Sequence, residues 1–220
     1  MRMKLTVAAV LFDIDGTLVD STPAVERTWR TWAARRGVDA EAVLRVSHGR
    51  RNEDTLADFL PAHEVSAAVA ELGVLELDDL QGVVALPATT SLLPAIPAGR
   101  WAAVTSGPRA LMQTRLRVSG LPVPEVLIAA EDVSEGKPHP EGYLAAAAAL
   151  GVDAGDCLVV EDAPAGIGAG RAAGARVVAV ATSHDRSALV DADVVIDDLR
   201  ELQLSVTPDG LRVTLPDRLP

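Results

Sequence analysis

Short apolar runs recur along this chain with helix-forming segments between them, and that rhythm constrains the fold more than any other feature. The runs are Thr6 to Phe12, Trp101 to Thr105, Val126 to Ala129, Cys157 to Val160, Val177 to Val180 and Val194 to Ile196. Uninterrupted apolar runs of this length suit strands buried on both faces, and such strands alternating with helices build a parallel α/β sheet. The segments Pro108 to Val118, Pro140 to Leu150 and Ala163 to Ala173 read as the connecting helices, the first two opening with proline in the first turn.

From about Ser21 to Leu86 the rhythm stops. No comparable buried strand is legible there, and Pro23 to Arg36, Asn52 to Leu60 and Glu64 to Leu72 all favour helix. The expected organisation is therefore a core of residues 1–19 and 87–220 carrying an inserted helical cap of residues 20–86. Val25, Thr28, Trp29 and Trp32 fall at helical spacing, which makes the tryptophans packing residues rather than a ligand platform. Near the end, Leu202 to Leu215 alternates on both sides of Pro208-Asp209-Gly210, as a hairpin at the sheet edge does.

With 220 residues, 49% of them apolar, the chain can bury a sizeable core. Its formal net charge of -11 argues against nucleic acid or an anionic membrane as a generic partner, so an anionic substrate needs locally gathered cations. The single cysteine, Cys157, rules out an internal disulfide and lies in a core-like run. The apolar run before Asp13 is too short for a signal peptide, and no window reaches the roughly 18 apolar residues of a membrane span. A soluble cytoplasmic protein is expected.

In an open parallel sheet, ligands bind beyond the carboxyl ends of the strands. The first run delivers Asp13 and Asp15 there, and Gly16 permits a turn that lets both acids face one site. Two carboxylates so close repel unless a cation joins them. Hard oxygen ligands suit Mg²⁺, and Mg²⁺ suits a phosphate substrate. The second run ends in Thr105-Ser106-Gly107, whose hydroxyls and N–H before a helix make either a phosphate cradle or an ordinary cap. Lys137 follows the third run between Gly136 and Pro138. Glu161 and Asp162 follow the fourth, where burial is costly without a cation or hydrogen bonds. In the cap, His48, Arg50 and Arg51 flank Gly49 and either face a substrate or form a solvated basic loop. Gly166, Gly168 and Gly170 depart from the dinucleotide fingerprint and read as close helix packing. Histidines at 48, 63, 139 and 184 lack zinc-site spacing.

Phe12-Asp13-Ile14-Asp15-Gly16-Thr17, Val104-Thr105-Ser106-Gly107, Gly136-Lys137-Pro138-His139-Pro140 and Val160-Glu161-Asp162-Ala163-Pro164-Ala165-Gly166-Ile167 together resemble the four ordered motifs of the haloacid dehalogenase-like hydrolases. The likeness spans most of the chain. Ser47-His48-Gly49-Arg50-Arg51 and Lys137 to Glu141 narrow it to the β-phosphoglucomutase-like branch, on the side of its small sugar- and polyol-phosphate phosphatases. The resemblance implies a Rossmann-like core with a helical cap after the first motif. It implies Asp13 as nucleophile and Asp15 as general acid and base. Mg²⁺ would be held by Asp13, the Asp15 carbonyl, Asp162 and the phosphate, with Glu161 a further or water-mediated contact. Thr105, Ser106, Gly107 and Lys137 would hold the phosphoryl group, with His48, Arg50 and Arg51 offered to the substrate. A phosphosugar mutase shares every core residue, although Arg50 stands nearer the glycine than in mutases. A non-catalytic phosphosugar-binding module would be expected to lose one of Asp13, Asp15, Lys137 or Asp162. By analogy with this fold, a monomer is expected.

Overall fold

The computed structural model describes residues 2–216. In chain order the elements are β1 (Arg2–Val7), β2 (Ala9–Phe12), β3 (Val19–Asp20), α1 (Thr22–Arg36), α2 (Ala40–Ser47), α3 (Asn52–Ala57), α4 (Ala62–Asp78), β4 (Val84–Ala85), α5 (Thr89–Leu92) and β5 (Trp101–Val104). They continue with α6 (Arg109–Val118), β6 (Leu127–Ile128), α7 (Glu141–Ala149), β7 (Cys157–Glu161), α8 (Pro164–Ala172), β8 (Arg176–Val180), β9 (Val194–Ile196), β10 (Gln203–Thr207) and β11 (Gly210–Pro216).

Six strands form a parallel sheet in the order β6-β5-β2-β7-β8-β9. Every residue of β2, β5 and β7 is buried, as strands covered on both faces require. Alternation along β2 divides the core in two. Val10 and Phe12 pack with Leu111, Met112 and Leu116 of α6, whereas Ala9 and Leu11 pack with Tyr143 and Ala146 of α7 and Ile167 of α8. The expected α/β core is therefore present, with β2 central and the chain leaving it toward β5 on one side and β7 on the other. That is where the sheet opens a crevice.

Three expectations need correction. The run Thr6 to Phe12 is two strands, not one: the chain bends at Ala8, whose N–H donates to the Asp156 carbonyl at 2.7 Å. β1 then turns away from the parallel sheet and pairs antiparallel with β11. The C-terminal hairpin accordingly joins β1 in a separate three-stranded sheet, β1-β11-β10, rather than extending the parallel one. Pro108 and Pro140 cap α6 and α7 from just outside the first turn; only Pro164 of α8 stands within it.

Between β3 and β4 the chain forms the helical cap, α1 to α4. The cap has its own core, built on Trp29, Trp32, Ala33, Val43, Leu56, Val65, Ala68 and Leu72. Trp29 and Trp32 meet edge to face at 5.8 Å, so they pack as their spacing suggests, although Trp29 also reaches the cleft. The structure adds α2, which the sequence did not reveal, and extends the last cap helix six residues beyond Leu72 to Asp78. The two crossings between cap and core are paired as the ribbon β3-β4, reinforced by Leu86 N–H donating to Leu18 O at 2.9 Å. No helix among the described residues is long and apolar enough to cross a membrane.

Candidate active site

Asp13 leaves the end of β2 only 6% exposed, and Lys137 reaches it from the loop after β6. Lys137 Nζ donates to Asp13 Oδ1 and Glu161 Oε1, both at 2.6 Å, and to the Val104 carbonyl at 3.1 Å. Its loop is held by Glu141, whose carboxylate accepts from the N–H groups of Ser134 and Glu135 at 2.9 to 3.0 Å. Tyr143 Oη completes the set by donating to Glu161 Oε1 at 2.8 Å. Burial opposes the charge on Lys137, but Asp13 and Glu161 together outweigh it and hold the ammonium protonated. Burial dominates at Asp13 and pushes its carboxyl well up despite the lysine, with Glu161 and Asp162 adding repulsion.

Asp162 follows directly on β7. Its side chain lies over the first loop, where a Cβ on Gly16 would fall 2.0 Å from Asp162 Oδ2; with φ at +86°, that position tolerates only glycine. Ser183 Oγ donates to Asp162 Oδ2. Burial, then Glu161, pushes the Asp162 carboxyl up to about 8. Oxygens of Asp13, Glu161 and Asp162 all lie within 4.8 Å of one another. With all three ionised, the carboxylates exceed the single ammonium of Lys137 by two negative charges, which one divalent cation matches; without it, burial favours protonation of Asp13 and Asp162. The donor set is all oxygen, as Mg²⁺ prefers. The residues present fit that ion. Glu161 Oε2 also accepts from the N–H groups of Asp162 and Ala163, so this acid orders the cluster as well as charging it.

Asp15 has different neighbours. Ser21 Oγ donates to its Oδ1 at 2.7 Å, and Arg115 Nη1 of α6 donates to its Oδ2 at 2.6 Å. Arg115 faces Glu76 of the cap, whose Oε2 accepts from Asn52 Nδ2 at 2.8 Å. Burial pushes the Glu76 carboxyl up against the pull of Arg115. Thr105, Ser106 and Gly107 line the same cleft as Asp13 and Asp15. Gly107 N–H donates to Thr105 Oγ1 at 3.0 Å and Ser106 Oγ donates to the Gly49 carbonyl of the cap at 2.8 Å, whereas α6 starts from Pro108 with no side chain capping it, so these hydroxyls are not its N-cap.

The cap cations divide. His48 and Arg50 line the cleft, with His48 edge-on to His184 at 5.7 Å. Arg50 is paired with Asp58 at 2.8 Å. Arg51 forks onto Asp54 and also donates to the Val133 and Ser134 carbonyls, which ties the cap to the lysine loop. Sequence reasoning missed Ser21, Asn52, Glu76, Arg115, Tyr143 and Ser183. For Arg115 and Glu76 a signal existed: each stands on an otherwise apolar helix face, Arg115 beside Leu111, Met112 and Leu116, and Glu76 in register with Val65, Ala68 and Leu72. The glycines after β7 do pack closely. A Cβ on Gly166 would sit 1.7 Å from Glu161 Oε1, and one on Gly170 would sit 3.0 Å from Val159 and Val177.

This chain is similar along most of its length to three known proteins. Hexitol phosphatase A of Escherichia coli K12 is 42% identical over 205 residues, covering 91% of this chain and 95% of the relative. Glycerol-1-phosphate phosphohydrolase 2 of Saccharomyces cerevisiae is 36% identical over 216 residues, covering 92% and 86%. A crystal structure of a HAD family hydrolase from Deinococcus radiodurans R1, with bound phosphate and sodium, superposes with a TM-score of 0.65 at 29% identity, covering 89% of this chain and 93% of that one. The haloacid dehalogenase-like hydrolase family matches residues 7–174, the span from β2 through α8 that carries all four motifs, and the chain belongs to that family.

Proposed function

We propose that this protein is a Mg²⁺-dependent phosphatase of small sugar or polyol phosphates that works through a phosphoaspartate at Asp13. The observation that carries the reading is the buried Asp13-Lys137-Glu161 chain beside Asp162 at the carboxyl edge of the sheet. Asp13, Glu161, Asp162 and the backbone carbonyl of Asp15 are the groups that would hold Mg²⁺, which when bound neutralises the cluster and polarises the phosphoryl group.

Asp13 attacks phosphorus in line, and the bond from phosphorus to the leaving oxygen breaks as the Asp13 oxygen bond forms. Lys137 keeps Asp13 oriented and balances charge between it and the dianion. Thr105, Ser106 and the Gly107 N–H turn onto the phosphoryl oxygens. Asp15, positioned by Ser21 and Arg115, gives a proton to the departing alkoxide. It then takes one from the water that opens the phosphoaspartate, returning Asp13 and releasing phosphate. Both named phosphatase relatives act on phosphorylated polyols, which supports the substrate class. A mutase must hold the second phosphate of a bisphosphate, and the pairing of Arg50 with Asp58 and of Arg51 with Asp54 favours hydrolysis instead.

Acid quench during turnover of a polyol phosphate, followed by mass spectrometry, should find one phosphoryl group on the peptide carrying Asp13. Asp15→Asn should slow turnover by about two to four decades. Turnover undiminished in Asp13→Asn would reject the mechanism.

A further inference from the structure

Arg115 and Glu76 are charged, buried and not consumed by the chemistry above. Arg115 is 2% exposed and Glu76 5%. Burying such a pair costs several kcal/mol unless the two groups meet in good geometry, and here they do not. Arg115 Nη2 and Glu76 Oε1 stand 3.9 Å apart, beyond hydrogen-bond reach, and Arg115 Nε has no hydrogen-bond partner among the described residues. Both side chains, with Asn52, line the cleft that holds Asp13 and Asp15. Arg115 is also joined directly to Asp15 at 2.6 Å.

The gap has a definite chemical preference. An oxygen about 2.8 Å from each would bridge them from beside the line that joins them, on the side of the cleft both residues line. A hydroxyl serves both, accepting from Arg115 and donating to Glu76. A carboxylate or second phosphate would be repelled by Glu76, and an alkyl group would leave both charges unpaired. Asn52 gives one amide N–H to Glu76, and its Oδ1 makes no hydrogen bond among the described residues, so it is free to accept from a neighbouring hydroxyl. Val25 and Trp29 line the same cleft and can pack on carbon.

We propose that Arg115, Glu76 and Asn52 form a subsite that reads adjacent hydroxyls of a polyol leaving group beside the phosphoester. The proposal rests on the phosphatase reading and specifies what part of the substrate the cap recognises. Arg115 is in addition a positioning residue for Asp15, so Glu76 and Asn52 are the diagnostic positions.

The test compares kcat/KM for glycerol 1-phosphate and a hexitol 6-phosphate with that for n-propyl phosphate, which lacks the hydroxyls. The unaltered protein should prefer the polyol phosphates by about 100-fold or more. Glu76→Gln and Asn52→Ala should each lower that preference by about 10- to 100-fold. Asn52, half-buried at the start of α3, carries the test if Glu76→Gln fails to fold. No preference in the unaltered protein, or an equal loss on all three substrates in the variants, would overturn the subsite while leaving the phosphatase standing. Absence of Mg²⁺-dependent hydrolysis of every one of them, p-nitrophenyl phosphate included, would overturn both.

Discussion

Lys137 lies between two buried carboxylates, and its removal leaves both without a counter-charge in a low-dielectric interior. Lys137→Met should therefore destabilise the metal-free protein by about 3–5 kcal/mol in urea unfolding, well beyond an ordinary surface substitution. An unchanged midpoint would mean that the acids are solvated or neutral. Cys157, buried in β7, illustrates the opposite case of a group nothing calls upon. Burial, then Asp156, pushes its thiol up to about 11. The folded state thus keeps a proton that the unfolded thiol loses near pH 9. The thiol's contribution is fully present below pH 9 and is lost as pH rises toward 11. Cys157 should resist a disulfide reagent at pH 8 until urea unfolds the chain; rapid modification of the native protein would contradict the burial. At this scale the carboxylates were legible because they stand at or just past the ends of apolar runs, and Lys137 because Gly136 and Pro138 hold it in the loop after one. Arg115 and Glu76 were not read, since their meaning comes from a partner 39 residues away in sequence that only cap-on-core packing supplies.

Among the elements, the parallel strands were legible from composition, because a strand covered on both faces has little choice but to be apolar throughout. The break at Ala8 was not, since one apolar run serves equally for a strand in either sheet. Pairing of β1 with β11 depends on a hairpin some two hundred residues on. The short helix α2 was missed for a related reason: its buried residues are only Val43 and Ser47, too few to set a period. The cap helices meet around Trp32, fully buried and with its indole N–H unpartnered among the described residues. Trp32→Ala should cost about 3–5 kcal/mol, measurable as a lower thermal midpoint. A shift within the range of surface substitutions would show that α1 does not anchor the cap.

Taken whole, the molecule is a sheet edge bearing fixed chemistry, closed by a cap that touches it through few polar groups. Ser106 reaches Gly49, Arg51 reaches the carbonyls of the lysine loop, and Arg115 faces Glu76, all around the cleft. The β3-β4 ribbon is the covalent crossing. On the phosphatase reading proposed above, this arrangement suits a site that must admit a phosphate ester and then place the one water that opens the acyl phosphate. The ordered motifs carried the family, and the residues that gather at the sheet edge, in the sequence itself. What the cap recognises emerged only once the cap was seated on the core. The central claim is most directly tested by measuring phosphate release from polyol phosphates, with Mg²⁺ or with EDTA, by the unaltered protein and by Asp13→Asn. The account predicts release that requires both Mg²⁺ and Asp13. Release that persists in EDTA or in Asp13→Asn would contradict it.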